Sequence, residues 1–123
     1  MEVLEVRELP WGREEVLWRG KTVAVKLITV RPGQRSSLQR HAKRSESWTV
    51  LSERSGTIRI GDVETPADEG ATFEVPVGAL HRYTAPPDAE LVLLEVWHGE
   101  CDQNDIERLE DDYGRAGISS AGA

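Results

Sequence analysis

The chain has 123 residues, of which 38% are hydrophobic and 30% are charged, and its formal net charge is −7. This length and composition predict one folded domain over residues 1–123 and exclude a disordered chain. The negative charge argues against a general nucleic-acid binder, because no basic excess is present to neutralise phosphates.

Cysteine content and hydropathy indicate where the protein works. Cys101 is the only cysteine, so the chain has no internal disulfide, which suits a reducing compartment. The N-terminal residues show no signal-peptide pattern, and no apolar run approaches the roughly 18–20 residues that span a bilayer. We therefore predict a cytoplasmic protein without a membrane partner.

Short strands separated by turn residues account for most of the sequence. Residues 21–30 alternate apolar and polar side chains, are rich in β-branched residues and lead into a Pro-Gly turn at 31–34. Further strands are predicted, in chain order, over residues 47–52, 56–61, 71–76, 77–85 and 90–99. The last of these is the most apolar and is predicted to be central. This regular spacing predicts an antiparallel sandwich or barrel.

One short helix is predicted near the C-terminus. Asn104 would cap it, Glu107 would stand at the third helical position and Gly114 would end it. Residues 116–123 have the composition of a chain tail.

The four tryptophans are predicted to be mainly structural. Trp11, Trp18 and Trp48 lie in apolar patterns that favour packing in a core or an interface. Trp97 suits either the core or the wall of a pocket.

The segment SLQRHAKRSESW raises the question of a metal site. On a strand, Gln39 and His41 would face the same side, and Arg40 would face the other. Residues 42–45 could then turn the chain so that Glu46 begins the next strand beside them. Amide, imidazole and carboxylate groups would thus be brought together.

A fourth ligand must come from elsewhere in the chain. His81 is the candidate, because it follows Pro76-x-Gly78 at the start of another predicted strand. Such nitrogen and oxygen ligands suit zinc, iron, cobalt, nickel or manganese. On spacing alone, a polar strand edge that happens to contain a histidine stays an open alternative.

Cupins have two sequence motifs, and this chain resembles both. Their first motif, G-x5-H-x-H-x3,4-E-x6-G, corresponds to PGQRSSLQRHAKRSESW (32–48), and their second, G-x5-P-x-G-x2-H-x3-N, corresponds to GATFEVPVGALHR (70–82). Gln39 replaces the first histidine, as is typical of the cupin domain of type II phosphomannose isomerases. These domains are often fused to a mannose-1-phosphate guanylyltransferase. The resemblance extends over residues 7–115 through RELPWGREEVL, VKLITVRPGQ, LLEVWHG and DIERLEDDYGR.

The resemblance implies an all-β cupin fold, a double-stranded β-helix or jelly-roll-like small barrel, to which we add the short C-terminal helix. It also implies one divalent metal ion at the barrel mouth, zinc in preference to cobalt, nickel, manganese or iron. The implied ligands are Gln39, His41, Glu46 and His81. Three positions depart from the family pattern and weaken the transfer of substrate specificity: Glu53, Ala85 and Trp97.

The resemblance implies an enzyme, a metal-dependent sugar-phosphate isomerase. It would interconvert mannose 6-phosphate and fructose 6-phosphate by proton transfer through an enediol(ate). We assign catalytic roles to Lys26 and Arg115, and substrate-binding roles to Arg44, Arg82 and Tyr113. Two alternatives stay open: Lys26 as a solvated strand lysine, and Arg44 as the partner of a nearby acid.

Two other functions are weighed against the isomerase. A non-catalytic, metal-containing cupin module that binds a sugar or sugar phosphate is favoured by the altered positions at the rim. A metal-dependent oxygenase is disfavoured by Gln39, because such cupins have the all-histidine first motif. The sequence contains no glycine-rich nucleotidyltransferase loop, so guanylyl transfer is not expected. The expected partners are a small-molecule sugar phosphate and a second copy of the chain in a homodimer.

Overall fold

The alternating patterns fold into two antiparallel sheets. A computed structural model describes residues 2–117. The strands in chain order are β1 (Glu5–Leu9), β2 (Gly12–Arg19), β3 (Val23–Val30), β4 (Leu38–Arg40), β5 (Arg44–Val50), β6 (Gly56–Ile60), β7 (Val63–Ala67), β8 (Thr72–Val75), β9 (His81–Thr84), β10 (Leu91–Gly99) and β11 (Glu107–Glu110). One sheet has the order β1-β2-β3-β10-β5-β8, and the other has the order β11-β4-β9-β6-β7. The all-β prediction is confirmed.

Strand β10 lies in the middle of the larger sheet, as its apolar sequence predicts. It pairs with β3 on one side and β5 on the other, and Leu91 and Leu93 are fully buried. In the same register Glu95 lies opposite Lys26 of β3 and Trp48 of β5. The buried face of this strand therefore changes from apolar to polar along its length.

The core lies between the two sheets and is built around three aromatic side chains. Trp11 and Trp48 each contact Tyr83 edge to face, with ring centroids 5.5 and 5.1 Å apart. Such pairs contribute about 0.5–1.5 kcal/mol each beyond burial of their area. Aliphatic residues from both sheets complete the cluster, among them Ile28, Val50, Ile58, Val75 and Leu93. The packing predicted for Trp11 and Trp48 is confirmed.

A glycine turn places the second motif against the first. Gly78 has φ of +81°, a conformation that favours glycine, and its N–H donates to the carbonyl of His41 at 2.8 Å. The turn delivers His81 to the start of β9, where it pairs with Gln39 of β4. Two motifs forty residues apart thus meet on neighbouring strands.

The predicted C-terminal helix does not form. Glu107 and Arg108 instead lie on β11, opposite Arg40 and Gln39 of β4. A helix of this length is marginal without tertiary packing, whereas the strand satisfies its backbone groups on the edge of an existing sheet. The pairing with β4 therefore overrides the capping signal at Asn104.

Trp18 does not pack in the core, which leaves the interface alternative of its prediction. It is 58% exposed, whereas Val16 on the same strand is fully buried. The register of β2 against β3 shifts between these two residues, and this bulge turns Trp18 outward.

Two further predictions concern the chain ends and membranes. Within residues 2–117, no helix is long and apolar enough to cross a membrane. The predicted tail falls mostly on residues 118–123, which lie outside the described residues.

Candidate metal centre

Three of the four predicted ligands meet between the sheets. His41 follows β4, Glu46 lies on β5 and His81 begins β9. The Nε2 atom of His41 lies 3.1 Å from Nε2 of His81 and 3.1 Å from Oε2 of Glu46, and His81 Nε2 lies 3.9 Å from Oε1 of Glu46. All three residues are at most 3% exposed. The strand argument for bringing these residues together is supported by this geometry.

The backbone fixes which nitrogen of each imidazole faces the cluster. Nδ1 of His41 lies 2.6 Å from the carbonyl of Asp105, and Nδ1 of His81 lies 2.9 Å from the carbonyl of Ala79. A carbonyl only accepts, so each Nδ1 donates the ring hydrogen. A ring with this hydrogen bond presents an Nε2 lone pair to the cluster whenever it is neutral, which is the state that binds a metal.

The charge states also suit a metal. Burial, with the neighbouring His41 and Arg44, lowers the pKa of His81 to about 4 despite the opposing effect of Glu46. Burial opposes ionisation of Glu46, but its close contact with His41 and the neighbouring Arg44 guanidinium hold the pKa of Glu46 well below its usual value. At neutral pH the cluster therefore contains a carboxylate beside the neutral imidazole of His81.

The spacing fits a divalent ion. Zinc binds imidazole nitrogen at about 2.0–2.1 Å, so two such nitrogens on one ion lie about 3–3.4 Å apart. The Nε2 atoms of His41 and His81 are 3.1 Å apart. The Nε2 lone pair of His81 faces Nε2 of His41 and the carboxylate of Glu46. Electron pairs on these atoms repel one another unless a proton or a cation lies between them. His41, Glu46 and His81 are thus a possible three-residue metal site.

Gln39 lies next to the cluster with its amide nitrogen turned toward it. Its Nε2 is 3.5 Å from Nε2 of His41, while its Oε1 accepts from the hydroxyl of Ser37 at 2.6 Å. Rotation of the amide by half a turn would direct Oε1 at the cluster, and the Ser37 hydroxyl could then accept instead of donate. Gln39 can therefore become the fourth ligand without moving its backbone.

Arg44 is the closest cation to the ligands. Its Nε donates to Oε2 of Glu46 at 2.9 Å, and its Nη2 lies 3.2 Å from Nε2 of His41. Its Nη1 donates to the carbonyl of Asp102 at 3.1 Å. The alternative in which Arg44 pairs with a nearby acid is thus observed. The acid is Glu46, which is itself a predicted metal ligand.

A buried row of charges continues from Arg44 along the larger sheet. The Trp97 ring has the Arg44 guanidinium 3.3 Å from its centroid and the Lys26 ammonium 3.5 Å from it. Two cations this close cannot share a face, so Trp97 separates them. Lys26 donates to Glu14 at 2.7 Å, and Trp97 donates to Glu95 at 3.0 Å.

Burial changes the pKa values of the charged residues in this row. Lys26 is 1% exposed, so the reading of a solvated strand lysine is wrong. Burial lowers the pKa of Lys26 against the opposing charges of Glu14 and Glu95. Burial, followed by the charge of Glu46, raises the pKa of Glu95 well above its usual value.

Sequence reasoning missed Glu14 and Glu95, although one signal was present. Glu46-x-Trp48 and Glu95-x-Trp97 share a spacing, and in each pair the indole N–H donates to the glutamate two residues before it, at 3.1 and 3.0 Å. The repeat on neighbouring strands marks a polar patch inside the barrel. Glu14 had no comparable signal.

The remaining predicted residues lie around the C-terminal segment. Arg82 is buried, and it donates to the carbonyl of Ser36 at 3.0 Å and contacts the Glu110 carboxylate at 3.4 Å. Tyr113 donates to Gln34, and the Arg115 guanidinium pairs with Asp111 at 2.9 and 3.0 Å. Burial, with the charge of Arg35, lowers the pKa of Arg82.

A cavity of about 380 Å³ adjoins the cluster on the side of His41. It is lined on one side by residues 40–42 and Gly78, and on the other by residues 104–107. The C-terminal segment therefore forms one wall of the space next to a predicted ligand.

Comparison with known proteins supports the assignment of the motifs. A family model described as "Mannose-6-phosphate isomerase C-terminal" matches residues 3–111. Alginate biosynthesis protein AlgA of Pseudomonas aeruginosa is 39% identical over 109 residues, which are 86% of this chain and 22% of that protein. Mannose-1-phosphate guanylyltransferase ManC of Salmonella typhimurium is 37% identical over 110 residues, again 86% and 22%. The chain thus spans about a fifth of the length of these relatives.

Solved structures support the fold. A cupin-2 domain from Rhodospirillum rubrum superposes with a TM-score of 0.68 at 23% identity, covering 82% of this chain and 70% of that one. The capsular polysaccharide assembling protein CapF of Staphylococcus aureus gives a TM-score of 0.76 at 20% identity, covering 90% and 32%. The predicted cupin fold is confirmed.

The predicted activity requires correction. The similar proteins are named for mannose-1-phosphate guanylyl transfer, or for alginate or xanthan biosynthesis. These names contradict the prediction of a mannose 6-phosphate to fructose 6-phosphate isomerase, which is therefore wrong. The domain that this chain resembles also occurs within larger enzymes. A shared domain does not fix the reaction of each protein that contains it.

Proposed function

We propose that this chain, which belongs to the mannose-6-phosphate isomerase C-terminal family of cupins, is a divalent-metal-binding module that accepts a sugar phosphate beside its metal. The relatives with assigned transferase names are enzymes, and in them the matching residues are one part of a longer chain. The observation that supports the proposal most strongly is the lone pair of His81 Nε2, which faces His41 Nε2 at 3.1 Å in a buried cluster with Glu46.

We propose zinc as the preferred ion, with cobalt, nickel, manganese and iron as alternatives. His41, His81 and Glu46 would hold it, and Gln39 would complete the set after its amide rotates. This nitrogen and oxygen donor set suits all five metals. When bound, the ion supplies Lewis-acid stabilisation of a negatively charged ligand oxygen.

The charges around the cluster favour an anionic ligand. Glu46 provides one negative charge there, whereas Arg44 and a divalent ion together provide three positive charges. Arg44 also uses two of its nitrogens on His41 and Glu46, the groups that a metal would occupy. Its planar fork is then available for phosphate oxygens, which it matches in pairs. Lys26 lies on the far face of Trp97, where its ammonium is paired with Glu14 at 2.7 Å and therefore adds little positive potential at the cluster.

The three remaining residues assigned to substrate or catalysis receive another role in this proposal. Arg82 contacts Glu110, Tyr113 contacts Gln34, and Arg115 contacts Asp111. The first two contacts hold the C-terminal segment onto the rest of the chain, and the third lies within the segment and fixes its turn. We propose that Arg82, Tyr113 and Arg115 fasten this segment.

Mannose 1-phosphate is the first ligand to test, because relatives are named for its guanylylation. Protein stripped by a chelator and protein reloaded with zinc would each be titrated with mannose 1-phosphate in a calorimeter. We expect binding to the zinc-loaded protein only, and weaker binding of mannose or inorganic phosphate. Equal binding with and without zinc, or equal binding of mannose, would refute the proposal.

A homodimer and a cytoplasmic location belong to the same proposal. Strand β1 is at the edge of the larger sheet, and three apolar side chains near this edge are exposed: Leu4, Val6 and Trp18. We propose this edge as the contact with a second copy. Sedimentation velocity of the protein and of Trp18→Lys tests it, because a monomeric wild-type protein would exclude the dimer.

A further inference from the structure

We propose that Asp105 is the positioning residue of the metal centre and sets His41 in the tautomer that receives a metal through Nε2. The consequence for metal affinity rests on the proposed function, whereas the consequence for the tautomer does not. Asp105 begins the stretch DIERLEDDYGR, which resembles the family, but it was assigned no role from the sequence. The backbone carbonyl of Asp105 contacts His41, and its carboxylate contacts the turn that follows His41.

The first group is the backbone carbonyl. The oxygen of Asp105 lies 2.6 Å from Nδ1 of His41 and accepts its hydrogen. An imidazole that donates from Nδ1 has its lone pair on Nε2, and such partners of metal-binding histidines fix both tautomer and ring orientation. The carbonyl therefore points the reactive nitrogen of His41 at His81 and Glu46.

The second group is the carboxylate, which holds the turn between two ligands. Its Oδ1 accepts from the N–H of Ala42 at 2.8 Å, and its Oδ2 accepts from the N–H of Lys43 at 2.9 Å. These amides lie directly after His41 and before β5, which contains Glu46. The carboxylate accepts from both amides at once and so fixes Asp105 relative to the turn after His41. This keeps the Asp105 carbonyl within hydrogen-bond distance of His41 Nδ1.

The segment around Asp105 also reaches the other side of the cluster. The carbonyl of Asp102 accepts from Arg44 Nη1 at 3.1 Å and from the N–H of Asp105 at 3.1 Å. One short segment thus contacts both His41 and Arg44. Its position is maintained from the following strand, where β11 pairs with β4 and Arg35 forms a two-point contact with Asp112 at 2.8 Å.

The experiment compares metal-free wild type with Asp105→Ala and Asp105→Asn. Long-range ¹H–¹⁵N correlation spectra of the side chains report which nitrogen of each histidine is protonated. We expect His41 to be Nδ1–H in wild type and to shift toward a mixture of tautomers in Asp105→Ala. Asp105→Asn should fall between them, because its amide offers one accepting oxygen in place of two.

His81 provides an internal control in the same spectra. Its Nδ1 donates to Ala79 rather than to the C-terminal segment, so His81 should stay protonated at Nδ1 even where the contact with His41 shifts its signals. A loss of fold in Asp105→Ala would alter both histidines, and Asp105→Asn then decides the matter. Asp62→Ala is the matched control, because Asp62 lies on the exposed β6–β7 turn.

Metal affinity is measured on the same proteins with cobalt(II), whose visible spectrum reports the ligand geometry. We expect Asp105→Ala to bind cobalt about ten- to a hundred-fold more weakly than wild type, and Asp62→Ala to be unchanged. A folded Asp105→Ala protein with an unchanged His41 tautomer would overturn the inference. Wild type that binds no cobalt would refute the proposed metal function, and the metal-free spectra would still decide the role of Asp105.

Discussion

The Nε2 atoms of His41 and His81 lie 3.1 Å apart, and each belongs to a ring whose Nδ1 donates to a backbone carbonyl. Two nitrogen lone pairs at this distance repel each other unless a proton or a cation lies between them. A proton is disfavoured on His81 at neutral pH, because its pKa is lowered to about 4. Arg44 reaches His41 from one side, at 3.2 Å. A divalent ion would satisfy both rings and Glu46 together.

Replacement of Arg44 by methionine should strengthen metal binding and weaken anion binding. The guanidinium donates to Glu46 and His41, so a metal must compete with it for both groups. Loss of one charge-assisted hydrogen bond of about 1.5 kcal/mol corresponds to about tenfold tighter zinc binding. Competition titrations with a chromophoric chelator measure zinc affinity, and calorimetry measures mannose 1-phosphate affinity.

The control for this substitution is Arg54→Met. Arg54 and Asp88 are both exposed and form an ion pair on the surface. Its replacement should change neither affinity. Weaker zinc binding in Arg44→Met would show that the guanidinium supports the ligands rather than competes for them.

Replacement of Lys26 by methionine should destabilise the fold. Lys26 and Glu14 are both 1% exposed and form an ion pair at 2.7 Å. Removal of one partner from a buried ion pair costs about 3–5 kcal/mol, and here Glu14 would keep only its longer contact with Arg7, at 3.5 Å. Urea unfolding followed by tryptophan fluorescence measures the change in unfolding free energy.

A second substitution separates charge from packing in this pair. Lys26→Met combined with Glu14→Gln removes both charges and should recover part of the lost stability. The exposed Lys21→Met is the matched control and should remain within about 0.5 kcal/mol of wild type. A Lys26→Met protein as stable as wild type would contradict the prediction and would mean that Arg7 or solvent compensates Glu14.

The local patterns predicted the central strands and brought the candidate ligands together, whereas β1, β2, β7 and β11 were not predicted as strands. Alternation placed Gln39 and His41 on one side because strand geometry has a period of two, and the Pro-x-Gly turn placed His81. The C-terminal helix was wrong because pairing with β4 is not encoded within the segment itself. Glu14 and Asp105 were missed because each acquires its role from a partner more than ten residues away, Lys26 and His41. Glu95 was missed although its partner Trp97 is two residues away, because its position opposite Lys26 depends on the pairing of β10 with β3.

Replacement of Glu95 by glutamine should stabilise the protein increasingly as pH rises. Burial raises the pKa of Glu95 well above its ordinary value of 4.5, so above pH 4.5 the native state binds more protons here than the unfolded state does. The unfolding free energy of the wild type therefore falls as pH rises toward the native pKa. Glutamine does not ionise, and its carbonyl can still accept from Trp97.

The measurement is urea unfolding of wild type and Glu95→Gln between pH 4.5 and 8. The stability difference in favour of Glu95→Gln should grow across this range. Glu74→Gln, on the exposed face of β8, is the control and should show no such trend. A difference that stays constant with pH would mean that Glu95 is ionised in the native protein.

The most direct measurement of the metal site is a cobalt(II) titration of the chelator-stripped protein and two histidine variants. His81→Gln removes the lone pair that faces His41, whereas His98→Gln removes an exposed histidine on β10 that contacts Ser47. We predict one equivalent of cobalt, with visible absorption bands, for wild type and for His98→Gln, and loss of those bands in His81→Gln. The same stoichiometry and spectrum in a folded His81→Gln protein would contradict the assignment of this cluster as the metal centre.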